Sequence, residues 1–206
     1  MFDIGADVIY RIPALLIALT IHEYAHGAVS YSLGDPTPKL QGRLTMNPLA
    51  HLDPMGTLML ILFKFGWAKP VQIDASYYKN PKTDMMKVAF AGPGSNLVLG
   101  FFGIFFRILF SRLGLLTPGV DTFFTWLIMY NVFFAFFNLI PVPPLDGSKI
   151  LGSILSPKAR YEYNKIAPYS MYILIAIIFT GAVTWIVTPF YYAYIVGVTS
   201  FLNIFL

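Results

Sequence analysis

The chain has 206 residues, of which 57% are hydrophobic and only 12% are charged, and its formal net charge is +4. An ordinary soluble domain has about 25% charged residues, so this composition excludes a conventional soluble enzyme, a coiled coil and a disordered chain. With a mean hydropathy of +0.67, an integral membrane protein remains. At about 20 residues per span, we expect at most six spans and no separate soluble domain. The absence of cysteine excludes disulfides and thiolate metal sites.

The first apolar run, residues 8–33, is long enough to span a membrane and stops at a Gly-Asp-Pro sequence that breaks helices. A polar, lysine-rich loop then extends to residue 87. Within this loop the apolar residues 55–65 are too few to cross a membrane, and they predict a re-entrant or interfacial piece or a β-hairpin. Residues 71–74, with the sequence VQID, predict a short strand.

Two further spans are predicted at residues 85–110 and 120–140, and the chain is apolar again from residue 167 to its end. Pro189 lies near the middle of that last segment and predicts two shorter helices there. We therefore expect one all-α polytopic membrane domain over residues 1–206. It would have about five to six transmembrane helices and a short re-entrant or hairpin segment between the first two core helices.

The basic residues predict the orientation in the membrane. Seven of the fourteen Lys and Arg lie in the loop 34–87 and four more lie in residues 148–165. When the first span runs inward, both segments fall on the same side, which the positive-inside rule assigns to the cytoplasm. The chain's N-terminus is then expected outside.

The sequence HEYAH within the first span is the first motif that carries chemistry. On a helix, a spacing of four places His22 and His26 on one face, where they can bind one zinc ion, and Glu23 beside them can accept a proton from water. An ionised carboxylate inside a span costs about 2.5–3.5 kcal/mol, so such residues are expected to be functional. The alternative is a polar helix face that neighbouring helices satisfy, or a helix end at the membrane interface.

A hydrolytic zinc site needs three protein ligands and one open position. Asp146, in the sequence PPLDG after the third span, is the best candidate because the predicted orientation puts it at the depth of both histidines. The prolines before it are expected to loosen the helix there. An ordinary Asp-Gly turn leaving the membrane explains the same residues, and the spacing alone leaves both interpretations open.

Three motifs occur in a characteristic order: HEYAH in the first core span, AGPGSN in the next and NLIPVPPLDG in the third. Together they resemble the site-2 protease family of intramembrane zinc metalloproteases, and the loop sequences NPLAHLDPMG and GWAKPV are similar to its bacterial members. The resemblance covers roughly residues 15–150. It implies that His22, His26 and Asp146 hold one zinc ion per chain and that Glu23 is the catalytic glutamate.

The resemblance also implies an activity, namely hydrolysis of peptide bonds within or near the transmembrane segments of membrane proteins, as in regulated intramembrane proteolysis. The expected partners are such substrates and the lipid bilayer, with no nucleic acid. The expected location is the bacterial cell (inner) membrane, with the active site toward the cytoplasm. Many relatives carry PDZ or CBS domains, for which this chain has no room, so we expect a compact member of the family. The natural substrate and the oligomeric state are left open.

Several polar residues near these motifs have two interpretations. By the family pattern Asn96 and Asn138 contact substrate, whereas amides in spans often serve helix–helix hydrogen bonding. The glycines of AGPGSN are interpreted as allowing close backbone approach. His51 and Asp53 are expected to organise the loop before the re-entrant piece, with an alternative metal ligand or substrate-path role for His51.

Two other classes of function compete with a protease. A membrane metal transporter or metal-binding channel also uses paired histidines and intramembrane acids, but it does not need a proton acceptor such as Glu23 beside the ligands. A non-catalytic membrane binding protein would not need the complete set of ligands plus glutamate. For the protease we expect the re-entrant segment 55–65 and the VQID segment to hold an extended substrate by edge pairing.

Overall fold

The computed structural model describes residues 7–56, 58 and 67–206. In this part of the chain the regular elements are helices, and residues 71–74 do not form the predicted strand. Short 3₁₀ turns occur at Pro48–Ala50, Ala75–Tyr77 and Ala167–Tyr169. The α-helices are α1 (Val8–Ser32), α2 (Thr37–Leu40), α3 (Pro81–Arg112), α4 (Pro118–Asn138), α5 (Asp146–Ile154), α6 (Pro157–Asn164), α7 (Ser170–Phe179) and α8 (Ala182–Phe205).

Four of these helices, α1, α3, α4 and α8, are long and apolar enough to cross a membrane. The prediction of an all-helical membrane protein is confirmed in this respect. The expected total of five to six spans is not confirmed, because only these four helices qualify among the residues described. The ten residues of α7 are too few to span a bilayer alone.

The ends of α1 and α3 follow from local chemistry. Helix α1 ends at Ser32 because Gly34 adopts a positive φ of 106° and Pro36 follows. Helix α3 begins at Pro81, earlier than the hydropathy predicts. Its first turn is polar, and there the Asp84 carboxylate accepts a hydrogen bond from the Asn80 N–H at 3.0 Å, which caps the helix outside the apolar segment.

Three helices, α1, α3 and α4, pack against one another, and α5 packs on α3. The contact between α3 and α4 is close because glycines face the partner helix. A Cβ on Gly100 would lie 2.8 Å from the Val132 side chain, and one on Gly103 would lie 2.9 Å from Ile128. Small residues permit such approach between membrane helices, where dispersion contacts replace the hydrophobic effect as the driving force.

The last forty residues form two helices, but the break between them is not at Pro189. Gly181 adopts a positive φ of 73° and separates α7 from α8, whereas Pro189 lies inside α8. Prolines are tolerated within membrane helices when neighbouring groups satisfy the freed backbone carbonyl. Helix α8 packs on α3 and α4, and most of its apolar surface is exposed, as expected for a helix that faces lipid.

The loop between α1 and α3 is tied to the end of α1 by one buried carboxylate. Asp35 is fully buried and accepts hydrogen bonds from Ser30 Oγ at 2.7 Å, from the Thr37 N–H at 2.9 Å and from the Asp74 N–H at 2.9 Å. The backbone of residues 71–74 is therefore bonded to side chains of other elements, which explains why it forms no strand. An isolated antiparallel bridge joins Leu52 to Ala68. The predicted re-entrant piece, residues 55–65, lies largely outside the described residues.

Candidate metal centre

Two histidines of α1 and the first residue of α5 converge in the interior of the protein. His22 Nε2 lies 3.1 Å from His26 Nε2, and Asp146 Oδ2 lies 3.2 Å and 3.0 Å from these two nitrogens. All three residues are buried. Within the described residues this is the one group of three His, Cys, Asp or Glu side chains arranged so that it could hold a metal ion. The structure therefore brings together the three predicted ligands, although Asp146 lies 120 residues beyond His26 in the chain.

The hydrogen bonds behind the rings decide which nitrogen of each histidine carries the proton. His26 Nδ1 lies 2.7 Å from the carbonyl oxygen of Val88, which can only accept, so this nitrogen is the donor. His22 Nδ1 lies 2.6 Å from Asn96 Oδ1. The Asn96 amide nitrogen donates to Ala18 O at 3.1 Å, which directs the amide oxygen to His22 and makes Nδ1 the donor there too.

With Nδ1 protonated, the Nε2 atom of each neutral imidazole presents a lone pair. These two lone pairs and a carboxylate oxygen then meet within 3.2 Å, an arrangement that is unfavourable without a cation between them. Tetrahedral zinc with N and O ligands at about 2.0–2.2 Å has ligand–ligand edges of roughly 3.3–3.5 Å, close to those seen here. Two imidazoles and one carboxylate are also a donor set of hydrolytic zinc sites, which keep a fourth position open.

The backbone of α3 forms one wall of this centre at Gly92. A Cβ at this position would lie 2.4 Å from His26 Nε2 and 2.7 Å from His22 Nε2, so no side chain fits without moving the rings. The interpretation of AGPGSN as a place of close backbone approach is correct for Gly92. This glycine gives α3 a structural role in shaping the centre.

Asp146 is positioned by the turn between α4 and α5. Helix α4 ends at Asn138, as the proline-rich sequence predicts, and Asp146 lies in the first turn of α5, where the helix dipole favours a carboxylate. A Cβ on Gly147 would lie 2.2 Å from Leu139 O, so the glycine lets the two segments meet. While Oδ2 faces the histidines, Oδ1 lies 3.4 Å from Lys149 Nζ.

Glu23 follows His22 on α1 and is half-buried. Its Oε2 accepts a hydrogen bond from the Val71 N–H at 2.9 Å. The loop that contains Val71 makes two further hydrogen bonds: Lys69 N donates to His51 O at 2.9 Å, and Arg43 donates to Lys69 O. The predicted proton acceptor is thus adjacent in the chain to the predicted ligand His22 and in contact with the loop that follows α1.

The two predicted substrate-binding asparagines differ in their surroundings. Asn96 is fully buried, and its amide is occupied by His22, Ala18 and Asn131. Asn138 is half-buried at the end of α4 and donates to Phe134 O at 3.1 Å. Among the described residues, no hydrogen bond joins Asn138 to the three ligands. A substrate contact stays a prediction for both, and the Asn96 contacts favour a role in orienting His22.

His51 and Asp53 lie in the loop and outside the cluster. The His51 ring is buried, with Nε2 2.9 Å from Thr45 O and Nδ1 3.4 Å from the Arg43 guanidinium. Asp53 Oδ1 accepts a hydrogen bond from the Gly56 N–H at 2.7 Å. These contacts organise the loop, in agreement with the preferred interpretation of both residues.

Sequence reasoning did not single out two residues that the structure connects to the site. Asn131 of α4 accepts a hydrogen bond from Asn96 at 2.7 Å, and the Val71 backbone contacts Glu23. An asparagine in an otherwise apolar span is a usable signal for the former. A backbone N–H leaves no signal in a sequence.

Comparison with known proteins gives the family. A model described as Peptidase family M50 matches residues 113–181, which include Asp146. The chain is 36% identical over 185 residues to "Putative zinc metalloprotease YwhC" of Bacillus subtilis, covering 87% of this chain and 84% of that protein. No solved structure matches the chain significantly.

Two further relatives have similar names. The chain is 27% identical over 198 residues to "Putative zinc metalloprotease Rip2" of Mycolicibacterium smegmatis, covering 91% of this chain and 74% of that protein. It is 36% identical over 154 residues to "Zinc metalloprotease MJ0392" of Methanocaldococcus jannaschii, covering 74% of this chain and 37% of that protein. Because the Bacillus subtilis relative is similar over most of both sequences, the resemblance is confirmed, and the chain belongs to peptidase family M50, the site-2 protease family of zinc metalloproteases.

Proposed function

We propose that this metalloprotease hydrolyses peptide bonds within or near transmembrane segments of membrane proteins, as in regulated intramembrane proteolysis. One zinc ion would be held by His22, His26 and Asp146, with Glu23 as the catalytic proton acceptor. The observation that carries the proposal is the convergence of Asp146 with two histidines of α1, a helix long enough to cross a membrane. Ten residues separate His22 from Ser32 at the end of α1, which is about 15 Å of helix, and this distance supports a position of the centre within the bilayer.

The chain's own residues supply the acid–base chemistry. When bound, zinc supplies a Lewis acid that polarises a water molecule and the scissile carbonyl. Glu23 accepts the proton of the attacking water and passes it to the leaving amine. Glu23 directly follows the proposed ligand His22 in the chain and is half-buried, which supports this role. Asn138 remains the proposed amide for contact with the substrate backbone or the developing oxyanion.

The loop segment 69–72 supports the proposed handling of an extended substrate. Its contacts to His51, Arg43 and Glu23 use backbone groups of Lys69 and Val71. Gln72, next to Val71, is exposed, and its backbone groups are proposed to form the outer edge of this segment. A transmembrane helix must unwind before hydrolysis because its own backbone bonds are satisfied. The unwound substrate then pairs with this outer edge.

The location proposed is the bacterial inner membrane, with the centre nearer the cytoplasmic side. The distribution of Lys and Arg supports this orientation, because the loop after α1 and the residues 148–165 after Asp146 contain most of them. The substrates proposed are transmembrane proteins in the same bilayer, and no nucleic acid is involved.

The test is a comparison of wild type with Glu23→Gln. The glutamine keeps the size of the side chain but accepts no proton, so zinc content is expected to stay at one per chain while hydrolysis falls by about 10²–10⁴-fold. Membrane peptides from cells that express either protein would be compared by mass spectrometry. Cleavage products that persist with Glu23→Gln would contradict the proposal. So would zinc flux by a wild type that yields no cleavage products, as a transporter would show.

A further inference from the structure

Asn131 is a fully buried amide in the middle of α4, at the fourteenth of 21 positions in a helix long enough to span the membrane. A buried amide is costly unless its groups are hydrogen-bonded. Both ends of this amide are paired: Nδ2 donates to Leu127 O at 2.7 Å, and Oδ1 accepts from Asn96 Nδ2 at 2.7 Å. The contact with Asn96 links α4 to the centre through α3.

Carbonyl oxygens fix the direction of every hydrogen bond in this link. The Leu127 carbonyl can only accept, so the Asn131 nitrogen faces it and the Asn131 oxygen faces Asn96. The Asn96 nitrogen then donates both of its hydrogens, to Asn131 and to Ala18 O. Its oxygen is left for His22 Nδ1 at 2.6 Å, which must therefore carry the ring proton.

The opposite orientation of the Asn96 amide would prevent His22 from binding a metal. Its nitrogen would then donate to His22 Nδ1, and the proton of the neutral ring would move to Nε2, which faces Asp146 and His26. A protonated Nε2 has no lone pair for a metal. The same rotation would place the Asn96 oxygen against two acceptors, Ala18 O and Asn131 Oδ1. Asn131 thus contributes to the preference of the Asn96 amide for the orientation in which its oxygen faces His22 Nδ1.

We propose that Asn131 is a positioning residue, which sets the tautomer of His22 through Asn96 and so presents its Nε2 lone pair to the metal. This inference rests on the proposed role of His22 as a zinc ligand. His26 offers an internal comparison, since its Nδ1 donates directly to the backbone oxygen of Val88 and does not depend on the relay. A change at Asn131 should therefore alter His22 and leave His26 unaltered.

The experiment uses the full chain, purified in detergent, without metal and labelled with ¹⁵N-histidine, at a pH where the rings are neutral, because only a neutral ring has a tautomer. The chain has only 3 histidines, so each ring can be assigned by substitution and its tautomer read from the ¹⁵N shifts. Asn131→Leu removes the acceptor and keeps the volume. We expect Asn131→Leu to move His22 toward the Nε2–H tautomer and to leave His26 unchanged. Zinc affinity should weaken about tenfold, the lower end of the range for residues that hydrogen-bond to a metal ligand.

Three variants separate this role from a general effect on folding. Asn131→Asp, held protonated in the apolar interior, can still donate to Leu127 O and accept from Asn96. Its His22 tautomer and its zinc affinity should therefore be those of wild type. Asn138→Leu removes another amide of the same helix without a contact to the ligands, and it should change neither His22 nor zinc affinity. In an Asn96→Leu background, Asn131→Leu should add nothing further, because the relay is already broken. If Asn131→Leu does not fold, Asn131→Ser, whose hydroxyl is too short to reach Asn96, takes its place.

A His22 tautomer that is the same in wild type and Asn131→Leu would overturn the proposal, as would fully additive effects of the Asn96 and Asn131 changes. Zinc binding that survives His22→Ala would show that His22 is not a zinc ligand and would overturn the proposed metal centre. This outcome is distinguishable from a failure of the Asn131 proposal, because the His22 tautomer is measured on metal-free protein.

Discussion

The backbone N–H of Val71 donates a hydrogen bond to Glu23 Oε2 at 2.9 Å, so the loop that follows α1 holds the side chain proposed as the catalytic base. The Val71 side chain packs against α1, where it lies 3.5 Å from the position that a Cβ on Gly27 would take. The loop is itself anchored, because the Asp74 N–H donates to Asp35 at 2.9 Å. The orientation of Glu23 therefore depends on the placement of residues 69–74 as well as on α1.

A proline at either of two neighbouring loop positions separates two roles of this segment. Val71→Pro removes the N–H that holds Glu23, and a hydrogen bond to a charged group contributes about 1.5–3 kcal/mol, so cleavage should fall about 10- to 100-fold. Gln72→Pro leaves that bond in place and removes an N–H from the outer edge, where we propose that substrate pairs. It should raise KM more than it lowers kcat.

Neither proline touches a metal ligand, so zinc content should remain at the wild-type value in both variants. The measurement is steady-state cleavage of a single-span substrate in proteoliposomes, together with metal analysis of the same samples. Wild-type kinetics in Val71→Pro would show that the loop contact does not position Glu23. Wild-type kinetics in Gln72→Pro would contradict the pairing of substrate with the outer edge.

Gly92→Ala should destroy the metal centre from the side of α3. The new Cβ would lie 2.4 Å from His26 Nε2 and 2.7 Å from His22 Nε2, and helix backbone cannot retreat without disturbing its packing on α1. We expect zinc affinity to fall by about 100-fold or more, measured by competition with a chromogenic chelator.

Gly94→Ala is the matched control for this change on the same helix. Its Cβ would meet the ring of Phe90 at 3.2 Å, and that side chain is half exposed, so a small shift of the ring can relieve the contact. Zinc affinity should therefore stay within about twofold of wild type, since ordinary surface substitutions perturb a structure little. Equal zinc affinity of the Gly92 and Gly94 variants would show that the rings are not held against α3.

The sequence predicted the part of the site that depends on local periodicity. His22, Glu23 and His26 follow from the helical spacing of four, and their position inside an apolar run marks them as functional. Asp146 lies 120 residues from His26, and because no local rule carries information over that distance, the family resemblance was needed to prefer it over a simple turn.

The failures of prediction have equally local causes. The VQID segment has the β-branched residues of a strand, but its N–H groups bond to Glu23 and Asp35 instead of a neighbouring strand. Pro189 was expected to break the last segment, but the break occurs at Gly181, whose positive φ ends α7. Asn131 was missed because a buried amide in a span has the same appearance whether it serves packing or a ligand.

Asp35 makes the stability of the loop dependent on pH. Burial alone would raise the pKa of this carboxyl, but hydrogen bonds from Thr37, Asp74 and Ser30 outweigh burial and hold the pKa below its ordinary value of 3.8. A pKa that is lower in the folded state means that the carboxylate stabilises the fold fully above the ordinary value. This stabilisation is lost as the pH falls through the folded-state pKa.

Asp35→Asn should therefore lose stability at neutral pH, by about 2 kcal/mol for hydrogen bonds to a charged group, and the difference from wild type should shrink at the acidic end. Thermal unfolding of both proteins in detergent between pH 7 and pH 3, values chosen to bracket the ordinary pKa of a carboxyl at about 3.9, measures this difference. A difference that stays constant over the whole range would show that the charge of Asp35 does not contribute.

The orientation in the membrane can be tested with single cysteines, because the natural chain has none and gives no background. Helix α3 has 32 residues, about 48 Å of helix, so its two ends must lie on opposite sides of a hydrocarbon core of about 30 Å. Lys79→Cys lies before this helix and Leu115→Cys follows it, and both positions are exposed.

A membrane-impermeant maleimide added to intact spheroplasts should label Leu115→Cys and spare Lys79→Cys, while inverted vesicles should give the opposite result. Labelling of Lys79→Cys from outside would place the basic loop and the adjacent zinc centre on the outer side, contrary to the proposed orientation.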